Sequence, residues 1–128
     1  MTEFHEGFNQ HLGIQLGSGA DGLFELQLTV EEKHCNQAGR IHGGVYMSLL
    51  DTVMSRAIRT LLDEGTFAPT MTLNASFFKS MGTGVVRAEG RVVNQSQGTA
   101  LVEGRLLNAE EQLLAQGSGF FYVINTLD

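Results

Sequence analysis

Phe24, Leu26, Leu28 and Val30 alternate with Glu25, Gln27 and Thr29, and this period of two predicts a strand with one buried face. Upstream, Leu12 to Leu16 reads as a short partner strand across a turn at Gly17-Ser18-Gly19-Ala20-Asp21-Gly22. From Gly44 to Glu64 the pattern changes. No proline or internal glycine interrupts it, and Val45, Leu49, Leu50, Val53, Met54, Ala57, Ile58, Leu61 and Leu62 recur at helical spacing. This predicts one long helix that stops near Gly65. After Pro69 the period returns to two over Thr70 to Phe77, Val85 to Val93, Ala100 to Leu107 and Leu113 to Ile124. Turn signals separate these runs at Met81-Gly82-Thr83-Gly84, Asn94 to Gly98 and Asn108 to Glu111.

The order is two strands, one helix and four strands in an antiparallel meander, an α+β layout with one helix covering one face of a six-stranded antiparallel sheet. A length of 128 residues suits one domain, residues 1–128, with a core that needs no disulfide or structural metal. Apolar residues occupy both sides of several strands, as at Val85-Val86, Val92-Val93 and Phe120-Phe121. A lone helix leaves one sheet face uncovered, so self-association is the expectation.

Acidic residues outnumber basic ones, giving a formal net charge of -6, which argues against a broad phosphate-backbone footprint and hence against nucleic acid as partner. A small phosphorylated ligand needs only a few local cations and stays compatible. Cys35 is the one cysteine, and the opening MTEFHEGFNQ has neither a basic n-region nor an apolar h-region, so a reducing cytoplasm is expected. No apolar run approaches the ~20 residues of a membrane-spanning helix, so no membrane partner is expected.

The turn before the first clear strand spells G-x-G-x-x-G, but the dinucleotide fingerprint must open a helix and this one runs into a strand. It reads as a hairpin turn. The stretch Asn36-Gln37-Ala38-Gly39-Arg40-Ile41-His42-Gly43-Gly44 is more informative, since it puts glycine amides at a helix N-terminus. Such amides point outward with the positive end of the helix dipole behind them and suit an anion or a developing oxyanion. Seven residues past Gly44, Asp51 falls at the edge of the apolar arc beside Met47, Ile58 and Leu62. Partial desolvation there strengthens a carboxylate as base or nucleophile. The plain alternative is a structural Asp bonded to a nearby serine or arginine.

His34, Cys35 and His42 lie close in sequence but lack the paired spacing of a zinc site, and Cys35 has no evident partner beyond His34 to activate it. His42 either touches substrate or shapes the loop. Arg40, Lys79, Arg87, Arg91 and Arg105 could contact phosphates, although isolated strand cations are mostly solvated surface charges.

The spacing N-x-x-G-x-x-H-G-G with Asp51 beyond it resembles the signature of hot-dog thioesterases of the phenylacetate-degradation (PaaI-like) type, and the element order is similar over nearly the whole chain. The resemblance implies a sheet wrapped around one long helix and hydrolysis of an acyl- or aryl-CoA thioester to free acid and CoA. No metal or redox cofactor is implied; CoA belongs to the substrate. Further, it implies that two subunits join edge to edge, commonly pairing again into tetramers, with each site drawing Asp51 from the helix opposite Gly43. The Gly43 amide would hold the thioester oxygen, Asn36 and Thr70 would place water beside Asp51, and His42 would stand near the thioester. Asp51 would act as general base or through a mixed anhydride. Gly44, Met47, Phe77 and Lys79 would contact substrate. This chain departs from the family where Lys79-Ser80 stands in place of an Arg-Pro or similar pair, and where Thr72 replaces an often acidic residue. The rival implied by the fold is a non-catalytic acyl-CoA-binding hot-dog module. A dehydratase of the same fold needs a base-positioned histidine that the H-G-G context of His42 does not supply.

Overall fold

The computed structural model describes residues 7–125. Residues 1–6, which open the stretch where no leader segment is expected, lie outside them, as do residues 126–128. The elements run α1 (Phe8–Leu12), β1 (Gln15–Ala20), β2 (Leu23–Val30), a 3-10 turn (Glu32–His34), α2 (Gly43–Arg59), β3 (Thr66–Phe67), β4 (Thr70–Phe77), β5 (Gly84–Ser96), β6 (Thr99–Leu107), β7 (Leu113–Tyr122) and β8 (Ile124–Asn125). Six strands form one antiparallel sheet in the order β1-β2-β5-β6-β7-β4, and β3 pairs with β8 alone.

Helix α2 lies across the inner face of the sheet. Its apolar stripe, Leu49, Leu50, Val53, Met54, Ala57 and Ile58, is fully buried against Leu26, Leu28, Val86, Ala88, Val102, Leu106 and Phe121. Burying each of the larger side chains stabilises the fold by roughly 1.5–3 kcal/mol. The helix comes in close because the floor beneath it has no side chains. Gly90, Gly104 and Gly117 are register partners on β5, β6 and β7, and Ala75 of β4 continues the row. A Cβ on Gly90 would lie 2.5 Å from the Val53 carbonyl oxygen, and one on Gly104 would lie 3.1 Å from Met54 Cγ and 3.2 Å from Leu50 Cδ2.

The α+β layout, the long helix and the strand positions follow the hydrophobic pattern, but four details differ. β4 is not the first strand of a meander: it sits at the far edge beside β7, while β5 pairs with β2. Periodicity marks strands without naming partners, and the connection from Phe78 to Thr83 is longer than the usual hairpin loop. The supposed turn at residues 17–22 is mostly strand. Only Asp21 (φ 56°) and Gly22 (φ 84°) turn, the left-handed pair of a two-residue hairpin, while Gly17 and Gly19 sit in a bulged β1. Leu12, expected in a strand, instead ends α1, which stops on Gly13 in the left-handed conformation. The last turn predicted for the long helix is tightened. Thr60, Leu61 and Leu62 bond back three residues, and Thr60 Oγ1 accepts from the Gly22 amide at 2.7 Å, docking the β1–β2 turn on the helix end.

The outer sheet face is neither bare apolar nor evenly polar. Arg105 bonds Glu89 at 2.7 Å, Arg91 bonds Glu103 at 3.0 Å, and Arg87 bridges Glu25, Glu89 and Glu111. Burial pushes the Glu89 carboxyl up, but its bonds from Arg87 and Arg105 outweigh this and hold it below its usual range. Val85, Val93 and Phe120 are exposed on this face, while Val86 and Phe121 are buried under the helix.

The glycine row generates a ranked prediction. Gly90→Ala meets backbone of α2 and should cost about 3 kcal/mol, whereas Gly104→Ala meets side chains that give by tenths of an ångström and should cost about 1 kcal/mol. Denaturant unfolding of both variants checks the order, and equal losses would contradict the helix depth described above.

Candidate active site

The loop ahead of α2 is built by its own polar groups. Asn36 Oδ1 accepts from the amides of Ala38 at 3.0 Å and Arg40 at 3.2 Å, and Gly39, at φ 73°, makes the reversal that only a glycine takes easily. Cys35 and Ile41 then face each other as a β-bridge. The loop is tied to the segment after β4: Arg40 Nε donates to Ser80 Oγ at 3.1 Å, Arg40 Nη2 to the Ser80 carbonyl at 3.0 Å, and the Ile41 amide to the Met81 carbonyl at 2.7 Å.

His42 is the N-cap of α2. Its Nδ1 accepts from the Gly44 amide at 2.8 Å, and its carbonyl accepts from Val45. Because the histidine ring takes up the Gly44 N–H, the expectation of two free glycine amides reduces to one. The Gly43 N–H has no partner among the described residues. It faces out from the first turn with the helix dipole behind it. Phe77 walls this amide on one side: a Cβ on Gly43 would lie 3.2 Å from Phe77 Cε2. The Phe77 ring meets Tyr46 edge-on at 5.5 Å, and the Tyr46 hydroxyl donates to the Lys79 carbonyl at 2.9 Å. The end of β4 is thereby fastened to the first turn of α2. Lys79 itself is exposed.

Asp51 is half-buried two turns further along α2, with Met47, also half-buried, one turn before it on the same side. Thr70 opens β4 directly after Pro69, and its hydroxyl donates to Asp51 Oδ1 at 2.7 Å. The carboxylate is thus oriented by a side chain from the sheet, and its Oδ2 remains for another partner.

The chain brings together Asp51 with Thr70, and Gly43 with Phe77. It does not bring Asp51 to Gly43, because eight residues of helix separate them by ~12 Å at 1.5 Å per residue. Asn36 likewise makes no bond to Asp51; its oxygen is spent on its own loop. His34 is buried, with Nδ1 accepting from the Glu31 amide at 2.8 Å and Nε2 donating to the Leu12 carbonyl at 2.7 Å, so both nitrogens hold backbone. Among the described residues, Cys35 Sγ bonds the Glu31 carbonyl alone. Sequence reasoning passed over Tyr46, which reads as one more apolar helix position, and took Arg40 for a solvated charge. The unusual Ser80 was the signal for the second. A groove of about 750 Å³ lies on the outer sheet face among Leu23, Glu89, Arg91, Glu103 and Arg105, and contains none of the candidate residues.

Comparison with known proteins identifies the family of the chain. Residues 38–115 match the model of the thioesterase superfamily. The proofreading thioesterase EntH of Klebsiella pneumoniae is 32% identical over 95 residues, covering 72% of this chain and 69% of that protein. Among solved structures, a mutant of the phenylacetic acid degradation protein PaaI of Thermus thermophilus superposes with a TM-score of 0.82 at 26% identity, over 90% of this chain and 96% of that one. A Bacillus halodurans protein solved with CoA superposes with a TM-score of 0.74 at 32% identity, over 77% of this chain and 70% of that one. The chain therefore belongs to the thioesterase superfamily, as a thioester hydrolase of the PaaI-like hot-dog type.

Proposed function

We propose that the protein hydrolyses an acyl- or aryl-CoA thioester to the free acid and CoA, in a site that Asp51 of one subunit and Gly43 of a second complete together. The observation that carries this reading is the pairing of an oriented carboxylate, Asp51 held by Thr70, with an unpartnered helix-end amide, Gly43, that the same chain keeps too far away to share one carbonyl. A thioester carbon must lie within about 3 Å of its attacking group while its oxygen lies about 3 Å from the donor. A two-fold pair of antiparallel helices meets both demands, because each helix then offers its amide to the other's carboxylate. β4, which carries Thr70, is an edge strand and is free to pair with its symmetry copy. The CoA-bound relative supports CoA as the carrier of the thioester.

In this site the substrate carbonyl oxygen takes the Gly43 N–H, and negative charge gathers there as the carbon becomes tetrahedral. As general base, Asp51 Oδ2 removes a proton from water as its oxygen bonds the carbonyl carbon; the C–S bond then breaks and the thiolate leaves to be protonated. As nucleophile, the same oxygen bonds the carbon directly, the thiolate leaves, and water hydrolyses the resulting anhydride. Either route needs the Asp51 carboxylate held in one orientation, which the Thr70 hydroxyl provides. The exposed amide of Asn36 donates to the incoming water, and His42, by occupying Gly44, leaves Gly43 as the sole oxyanion donor of the turn. Met47 and Phe77 border the acyl or aryl group.

Asp51→Asn keeps the shape and removes the base, so kcat should fall by ~10²–10⁴-fold with the melting temperature little changed. Near-normal turnover with a lowered melting temperature would make Asp51 structural. Thr70→Ala should lower kcat by about tenfold, the size of a hydrogen bond to a charged group, while leaving KM for the thioester nearly constant. A rise in KM alone would assign Thr70 to binding. Gly43→Ala pushes a methyl against Phe77 where the carbonyl oxygen arrives, and should lose activity in a folded protein. Unchanged turnover in that variant would refute the oxyanion role.

A further inference from the structure

Arg87, Arg91 and Arg105 are each paired with glutamates on the outer sheet face. Arg40 is held differently. Both of its hydrogen bonds go to uncharged oxygens of Ser80, and it has no carboxylate partner among the described residues. Lys79, next in the chain to Ser80, is exposed and also lacks one. In a protein of formal net charge -6, two cations without a carboxylate partner among the described residues lie on the two joined loops, Arg40 bonded to the residue that follows Lys79.

Neutral groups do the ordering at this place, so the charge stays available to an anion from outside. The placement is firm on every side. Asn36 caps the amide of Arg40, the Ile41 amide bonds Met81, and the Tyr46 hydroxyl bonds the Lys79 carbonyl. Burial pushes the Tyr46 hydroxyl pKa up and the charge of Arg40 pulls it the other way, so that charge is felt at the first turns of α2. Ser80 lies three residues from Phe77, which packs against Gly43, a span of at most about 10 Å of chain. A flexible pantetheine arm anchored at Gly43 covers that distance.

We propose that Arg40, oriented by Ser80 and accompanied by Lys79, binds a phosphate group of the CoA carrier. The proposal rests on the CoA-thioester reading above and goes beyond it in assigning the phosphate contact to the loop residue Arg40. Guanidinium N–H groups not spent on Ser80 match phosphate oxygens in a planar, two-point fashion that an ammonium does not reproduce.

Calorimetric titration with free CoA and with pantetheine, which lacks the phosphates, tests this independently of hydrolysis. Arg40→Gln should weaken CoA binding by about tenfold and leave pantetheine binding unaltered, Arg40→Lys should recover part of the loss, and added salt should weaken CoA binding more in the native protein than in Arg40→Gln. Ser80→Ala, which keeps the charge but removes one tether, should fall between. Equal CoA affinity in native protein and Arg40→Gln would overturn the assignment. So would an equal loss of CoA and pantetheine affinity in Arg40→Gln. Neither result touches the hydrolytic reading, which fails if the native protein releases no thiol from acyl- and aryl-CoA thioesters.

Discussion

The close approach of α2 to the sheet governs the rest of the molecule. A helix resting on ordinary side chains would stand further off, but the row Gly90, Gly104 and Gly117 lets its backbone come almost onto the strands, with the Val53 carbonyl directly above Gly90. That depth fixes two other relations. At the N-terminal end it sets the first turn against Phe77, so that a Cβ on Gly43 would lie 3.2 Å from the Phe77 ring. Two turns later it brings Asp51 within 2.7 Å of the Thr70 hydroxyl on β4. Packing and chemistry therefore depend on the same absent side chains.

Rigid attachment explains how a short, loop-borne motif holds its geometry. The segment from Cys35 to His42 has little regular structure, yet Asn36 closes it from within, Arg40 and Ile41 bind it to residues 80–81, and His34 anchors its base through two backbone contacts. His42 then settles which amide is open. A histidine that accepts from Gly44 cannot offer the same nitrogen to substrate, and its contribution is to leave Gly43 as the unpaired donor. The helix acts as a spacer between this amide and the carboxylate, and the ~12 Å it imposes is what calls for a second subunit in the proposed site.

Much of this was legible in the residues. The alternation of Phe24 to Val30 and the helical recurrence from Val45 to Ile58 marked a strand and the central helix, since burial on one face dictates those periods. Asp51 at the border of the apolar arc was readable from helical geometry, and so was an anion-suited helix end at Gly43. Strand order was not, because nothing in the alternation of Thr70 to Phe77 distinguishes β5 from β7 as its neighbour. The row of glycines was invisible for a similar reason: Gly90, Gly104 and Gly117 become one feature only when their strands are in register. Arg40 and Ser80 stand forty residues apart, and a side-chain bond over that separation leaves no periodic trace.

The claim on which the functional reading turns is that one site takes Asp51 from one subunit and Gly43 from the other. Mixing the two inactive variants, Asp51→Asn and Gly43→Ala, tests it directly once subunit exchange has been verified by native mass spectrometry. In a mixed dimer both defects fall in one site and the other is intact. Random exchange should therefore restore about a quarter of wild-type thioester hydrolysis, the statistical share of intact sites in a two-fold assembly. Confirmed exchange with no recovery of activity would contradict the shared site.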